Sequence, residues 1–118
     1  MKTWADDLRA FLDEEMKACQ AREDVLSADL RADEADLEKV RANVYGIFKT
    51  LLDSAERKAP GGMEKQWFTE KLQQIPMNWQ AALVSAHEHA DAKRVMVEEA
   101  KLKAVRKIRE RVERGERT

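Results

Sequence analysis

Between Leu12 and Leu51 the apolar residues fall on two interleaved seven-residue series that no proline interrupts, and this seam confines the chain to long helices. One series runs Leu12, Cys19, Leu26, Asp33, Val40 and Ile47, the other Met16, Glu23, Leu30, Leu37, Val44 and Leu51. Ten of these twelve positions are apolar, at the three-then-four spacing that holds one stripe of a helix against a partner over many turns. Trp4, Leu8 and Phe11 carry the stripe toward the N-terminus. Thr3 stands ahead of it as an N-cap, and Asp6 and Asp7 put negative charge in the first turn, where the helix dipole favours it. Gly46 is an isolated glycine that costs about 1 kcal/mol relative to Ala and does not stop a helix. The pattern predicts one helix over about 3–57.

"KAPGGMEK" is the strong punctuation mark: Pro60 removes a backbone donor, and Gly61 and Gly62 admit left-handed backbone. A turn is expected at 58–62, followed by a short helix at about 63–74 that ends where Pro76 biases Ile75 away from helical geometry. A second long helix is expected over about 77–114, with Trp79, Leu83, Ala86, Ala90, Val97, Ala104, Ile108 and Val112 on its apolar stripe. With only four Gly and two Pro and 38% charged residues, the composition agrees with helices carrying a heavily solvated face. The expected fold is therefore all-α: one domain over 1–118, an elongated, coiled-coil-like antiparallel hairpin with a short third helix at its turn. No internal repeat stands out beyond the heptads.

At 1.5 Å per residue the first helix would be ~80 Å long and the last ~55 Å. Folded back from the turn, the shorter rod reaches only to about residue 20 and leaves Trp4, Leu8, Phe11 and Leu12 uncovered. Each large apolar side chain left in water forgoes roughly 1.5–3 kcal/mol. Either a second subunit covers the stripe or the first helix bends near 24–35, where Glu23 and Asp33 interrupt the seam. With no helix breaker there, self-association, as a dimer, is the favoured expectation. The aromatics Trp67, Phe68 and Trp79 around the turn form a second partner-docking candidate, since aromatic side chains are favoured interface anchors.

Charge is unevenly distributed. The net charge is −1, yet 23–38 carries seven carboxylates against Arg31, while Lys103, Arg106, Lys107, Arg111 and Arg114 share one face near the C-terminus. That basic face could meet a polyanion, but Glu110 stands four residues before Arg114 in the order of an ordinary helix ion pair, and no aromatic is interleaved to stack on bases. His87 and Asp91 sit four apart and could share one metal ion, yet they supply two ligands where three or four are usual. No phosphate-cradling loop or catalytic motif is present, and no metal, cofactor or catalytic residue is assigned. Cys19, the lone cysteine, excludes an intrachain disulfide and is expected as a small buried apolar side chain. "MKTWADDLRA" has charges where a signal peptide needs an apolar run, and no run approaches the roughly 18–20 apolar residues of a membrane span, so a cytoplasmic setting is expected. The function these features predict is non-enzymatic: a helical protein–protein interaction or assembly module, joining copies of itself or another helical protein. The alternative is a nucleic-acid-binding accessory protein that uses the basic face.

Overall fold

The computed structural model describes residues 3–59 and 61–116, all-α and with no strand among them. Four helices follow one another: α1 (Trp4–Ala28), α2 (Ala32–Lys58), α3 (Glu64–Glu88) and α4 (Ala92–Glu116). The expected helix over 3–57 is thus two helices, and the short helix at 63–74 is the first half of a 25-residue one. The greatest dimension is 46 Å, far from the ~80 Å rod.

Both long rods are broken by the same device. Leu30 takes a left-handed conformation (φ 61°), its N–H donating to the Ser27 carbonyl and that of Arg31 to the Leu26 carbonyl, at 3.1 and 2.9 Å. Ala90 (φ 52°) does the same, its N–H donating to His87 and that of Asp91 to Ala86, again at 3.1 and 2.9 Å. These paired bonds satisfy the last carbonyls of α1 and α3 in the Schellman arrangement. Glycine is the usual residue there, because a side chain in this region costs roughly 1–2 kcal/mol. Asp91 then caps α4, its Oδ1 accepting from the Arg94 N–H at 3.1 Å. At the start of α1 the expected cap is a full capping box: Thr3 Oγ1 accepts from the Asp6 N–H and Asp6 Oδ2 from the Thr3 N–H. Gly61 and Gly62, at φ 81° and 93°, turn the chain between α2 and α3; Pro60 lies outside the described residues.

Pro76 does not end a helix. It sits buried in the middle of α3, where it can give no N–H to the Leu72 carbonyl one turn back. Interior proline costs a helix about 3 kcal/mol or more through that lost bond and the ring's clash. Here Arg109 of α4 supplies the missing donor, its Nη2 lying 3.2 Å from the Leu72 oxygen. The interruption of α3 thereby becomes a tie between α3 and α4.

The helix boundaries 4, 28 and 32 recur at 64, 88 and 92, a displacement of 60 residues. Buried residues follow it: Leu8 with Phe68, Leu12 with Leu72, Glu38 with Glu98, Phe48 with Ile108 and Leu52 with Val112. The molecule is two helical hairpins of similar design whose sequences keep few identities, which is why no repeat is visible in the sequence. Within each hairpin the helices are antiparallel. Between hairpins α2 and α4 run in the same direction, 33–40 beside 93–97 and 41–45 beside 103–107, which corrects the expected antiparallel pairing of the long helices.

The core is concentrated at the end where α1 begins and α2 and α4 finish. Phe48 is its centre, edge-to-face with Phe68 at 6.0 Å and with Trp79 at 6.5 Å, and Trp4 meets Phe68 at 5.7 Å. Leu8, Leu12, Leu52, Leu72, Ile108 and Val112 fill the space around them. Toward the opposite end packing loosens. Beyond Cys19 no residue of α1 is buried, and beyond Pro76 only Ala86 of α3 is. The radius of gyration, 15.6 Å, exceeds the about 13.5 Å of a compact chain of this length, as a half-open shape requires.

The Arg109 tie has a thermodynamic signature. Arg109→Met should lower unfolding free energy by about 1.5–3 kcal/mol, the range for a hydrogen bond to a charged group. In a Pro76→Ala background, where the backbone N–H is restored, the same substitution should cost less, giving a coupling of about 1 kcal/mol in a double-mutant cycle read by urea denaturation. Additive costs would show that the two residues act independently.

Candidate functional site

Two features outside the closed core combine chemistry with access. The first is an apolar cleft at the open end, about 270 Å³, between the N-terminal turns of α2 and α4. Leu37, Val40, Met96 and Val97 form its walls, and Asp33 and Asp36 on one rim face Lys93 on the other. Its walls, Leu37, Val40, Met96 and Val97, are not buried, whereas Val44 and Ala104 further along the same two helices are. Around it stand uncovered apolar side chains: Met96 and Val84 are 50% exposed, Val25 is 62% and Leu30, at the tip of the first turn, is 92%.

The second feature is a polar seam where α1, α2 and α4 converge. Glu38, 5% exposed, accepts from Arg41 Nη1 at 2.7 Å and pairs with Arg22 Nε at 3.1 Å. Arg22 also reaches the Cys19 sulfur at 3.5 Å. The Arg22 contact lies off hydrogen-bond geometry, so Glu38 Oε2 is buried without a donor, and Arg41 Nε without an acceptor. Tyr45 is buried beside Glu15, which pairs with Lys107 across the α1–α4 groove at 3.6 Å. Glu98 repeats the Glu38 position in the second hairpin, buried and bound by Lys101 at 3.1 Å.

Burial pushes the Cys19 thiol up, reinforced by the Glu38 carboxylate and opposed by Arg22. Burial likewise pushes the Tyr45 phenol up, with Glu15 adding to it. Both groups keep their protons at neutral pH, so Cys19 is a small buried apolar residue and no nucleophile.

The residues singled out in the sequence are dispersed. Leu8, Leu12 and Phe68 lie inside the core, and Trp4, Phe11, Trp67 and Trp79 pack against it half-buried. The stripe that seemed to need a second subunit is covered by the chain's own helices, because the break at Leu30 brings α2 back along α1. The basic face is divided. Arg111 lies over the Phe11 ring at 5.7 Å, and with Lys107 and Arg114 it lines the α1–α4 groove. Arg106 lines a groove on the other side of α4 with Leu83 and Glu99, and Lys103 reaches both this groove and the polar seam. Asp33 is exposed in the first turn of α2, on the rim of the α2–α4 cleft rather than in a packed seam. His87 lies in the last turn of α3 while Asp91 is engaged as a cap, and among the described residues no group of three or more His, Cys, Asp or Glu is placed to hold a metal ion. Among them, too, no helix is long and apolar enough to cross a membrane.

Sequence reading missed both features. The cleft depends on Leu30 and Ala90 breaking the rods, and the seam on which faces of α1, α2 and α4 meet. One signal for the cleft was available: Leu37, Val40 and Val97 are apolar residues on the stripes of their helices, set among charged neighbours. Comparison with protein-family models, curated proteins and solved structures finds no match.

The protonated Cys19 and Tyr45 fix an alkaline limit. An unfolded chain releases their protons near the ordinary values of 9.0 and 10.0, whereas the folded chain retains them. Their contribution is therefore complete below pH 9.0 and is lost as pH rises through the folded values. Unfolding free energy by urea should fall as pH rises from about 9 to 11, and Tyr45→Phe should flatten the portion above pH 10. An identical slope in the variant would remove Tyr45 from the account.

Proposed function

We propose that the chain is a non-enzymatic assembly module that pairs with a second copy of itself through its open end. The reading rests above all on Leu30. A leucine in left-handed backbone is held against roughly 1–2 kcal/mol of steric cost, and this one is also 92% exposed at the tip of a turn. The left-handed turn serves the isolated chain by ending α1 and returning α2 along it, but glycine would make the same turn without strain and the exposed leucine side chain is left in water; backbone strain kept in place by its surroundings tends to mark a working position. Leu30 stands at the same end as the cleft lined by Leu37, Val40, Met96 and Val97, so a two-fold arrangement would seat the Leu30 of each copy in the cleft of the other.

The rims support the same partner. Asp33 and Asp36 on the α2 side and Lys93 on the α4 side exchange places under a two-fold rotation, so each acidic rim would meet a basic one. Val25 and Val84 would add apolar surface at the margin. The division of Lys107, Arg111 and Arg114 from Arg106 by the body of α4 weighs against the basic face acting as one nucleic-acid surface.

Light scattering combined with small-angle X-ray scattering tests the proposal. The native chain should show twice its own mass, and Leu30→Glu and Val97→Glu should each give the single-chain mass with helix content unchanged. Leu30→Gly separates strain from contact: it should stabilise the monomer by about 0.5–1 kcal/mol while weakening association. A native chain that stays monomeric at high concentration sinks the reading.

A further inference from the structure

The polar seam opens into a pocket of about 290 Å³ lined by Arg22, Glu38, Arg41, Tyr45, Lys103 and Lys107. We propose that this pocket binds a small phosphate-bearing dianion. Four cations from three helices converge on it against the single carboxylate of Glu38, a formal local charge of +3 in a chain whose net charge is −1. The chain neutralises that concentration only in part. Glu38 engages Arg22 and Arg41, and Glu15 pairs with Lys107 from the neighbouring groove at 3.6 Å. Lys103 has no ion-pair or hydrogen-bond partner among the described residues, and the buried Arg41 Nε has no acceptor. Like charges held together by a fold repel one another, and an anion bound among them removes that repulsion.

The geometry favours phosphate over a carboxylate. Arg22 from α1 and Arg41 from α2 contribute guanidinium groups and Lys103 and Lys107 from α4 ammonium groups, a donor set that suits a dianion with several acceptor oxygens. A monocarboxylate would match one fork and leave most of the charge unanswered. The volume lies at the lower edge of small-molecule clefts, roughly 300–1,000 Å³, and so admits free phosphate or a small phosphate monoester. A nucleic-acid strand would need the cations to continue in one groove, whereas beyond Lys103 and Lys107 they part to opposite sides of α4. The proposal does not depend on self-association.

The test is titration of the 118-residue chain with inorganic phosphate and, separately, with glycerol phosphate, at ionic strength held constant with sodium chloride. Calorimetry and the thermal midpoint serve as readouts. Saturable binding that raises the midpoint is expected, weakened about tenfold or more by Arg41→Gln and by Lys103→Gln and unchanged by the remote Lys17→Gln. Lys103 is exposed, so its variant remains informative even if Arg41→Gln, which loses a Glu38 contact, unfolds. Tighter binding of the ester identifies an organic phosphate as the ligand, and tighter binding of the free ion identifies inorganic phosphate. A response no larger than that to chloride, or equal in Lys103→Gln and the native chain, overturns the proposal. So does binding of a single-stranded oligonucleotide that needs Lys103 while neither phosphate binds saturably.

Discussion

The edge-to-face contacts of Phe48 with Phe68 and Trp79 are the interaction on which the architecture depends, because they join the two hairpins. Phe48 is wholly buried on α2, and both its partners lie on α3. Leu8 and Leu12 from α1 and Ile108 and Val112 from α4 close the same cluster. Burying side chains of this size contributes roughly 1.5–3 kcal/mol each. That is enough to offset the two left-handed residues at the hairpin tips and the proline in α3. The two left-handed turns lie at the far end of the hairpins from the packing that sustains them.

From this closed end the molecule loosens along its length in a graded way. Next to the aromatic cluster lies a layer with polar groups among its small apolar residues: Cys19, Glu38 and Tyr45 on the first hairpin, Glu98 and Ala100 on the second. Beyond it the helices no longer exclude water, and Leu37, Val40, Met96 and Val97 border an open cleft. Buried carboxylates such as Glu38 and Glu98 rarely add net stability over an apolar residue of similar size. Their recurrence at matching positions ties them to the shared design of the hairpins, where each recruits a cation one turn later, Arg41 or Lys101. In the first hairpin that cation, joined by Arg22, Lys103 and Lys107, turns a structural ion pair into a basic pocket.

The all-α class, the N-cap at Thr3, the turn at Gly61 and Gly62 and the burial of Cys19 were all legible in the residues. Each rests on local chemistry: heptad spacing, a hydroxyl just ahead of the first turn, glycines tolerant of positive φ, a small side chain on an apolar stripe. The break at Leu30 falls within 24–35, where the interrupted seam allowed a bend as the less favoured solution, while that at Ala90 had no signal; neither residue prefers a left-handed conformation and no glycine or proline marks either site. Pro76 misled in the opposite direction. Read alone it ends a helix, and only the guanidinium of Arg109, 33 positions later, lets α3 continue through it.

Spacing and residue type thus determined that this chain would form amphipathic helices and where one turn would fall, since those outcomes follow from interactions within a few residues. The tertiary structure decided how many helices there are, which of them run in the same direction and where they part. Those choices depend on comparing alternatives that share the same local patterns: a long rod with an uncovered stripe, or two hairpins that bury Leu8, Leu12, Phe48 and Phe68 together at the cost of two strained turns. The burial of that cluster decides between them, and it is a property of residues as far apart as Leu8 and Val112 that no local pattern carries.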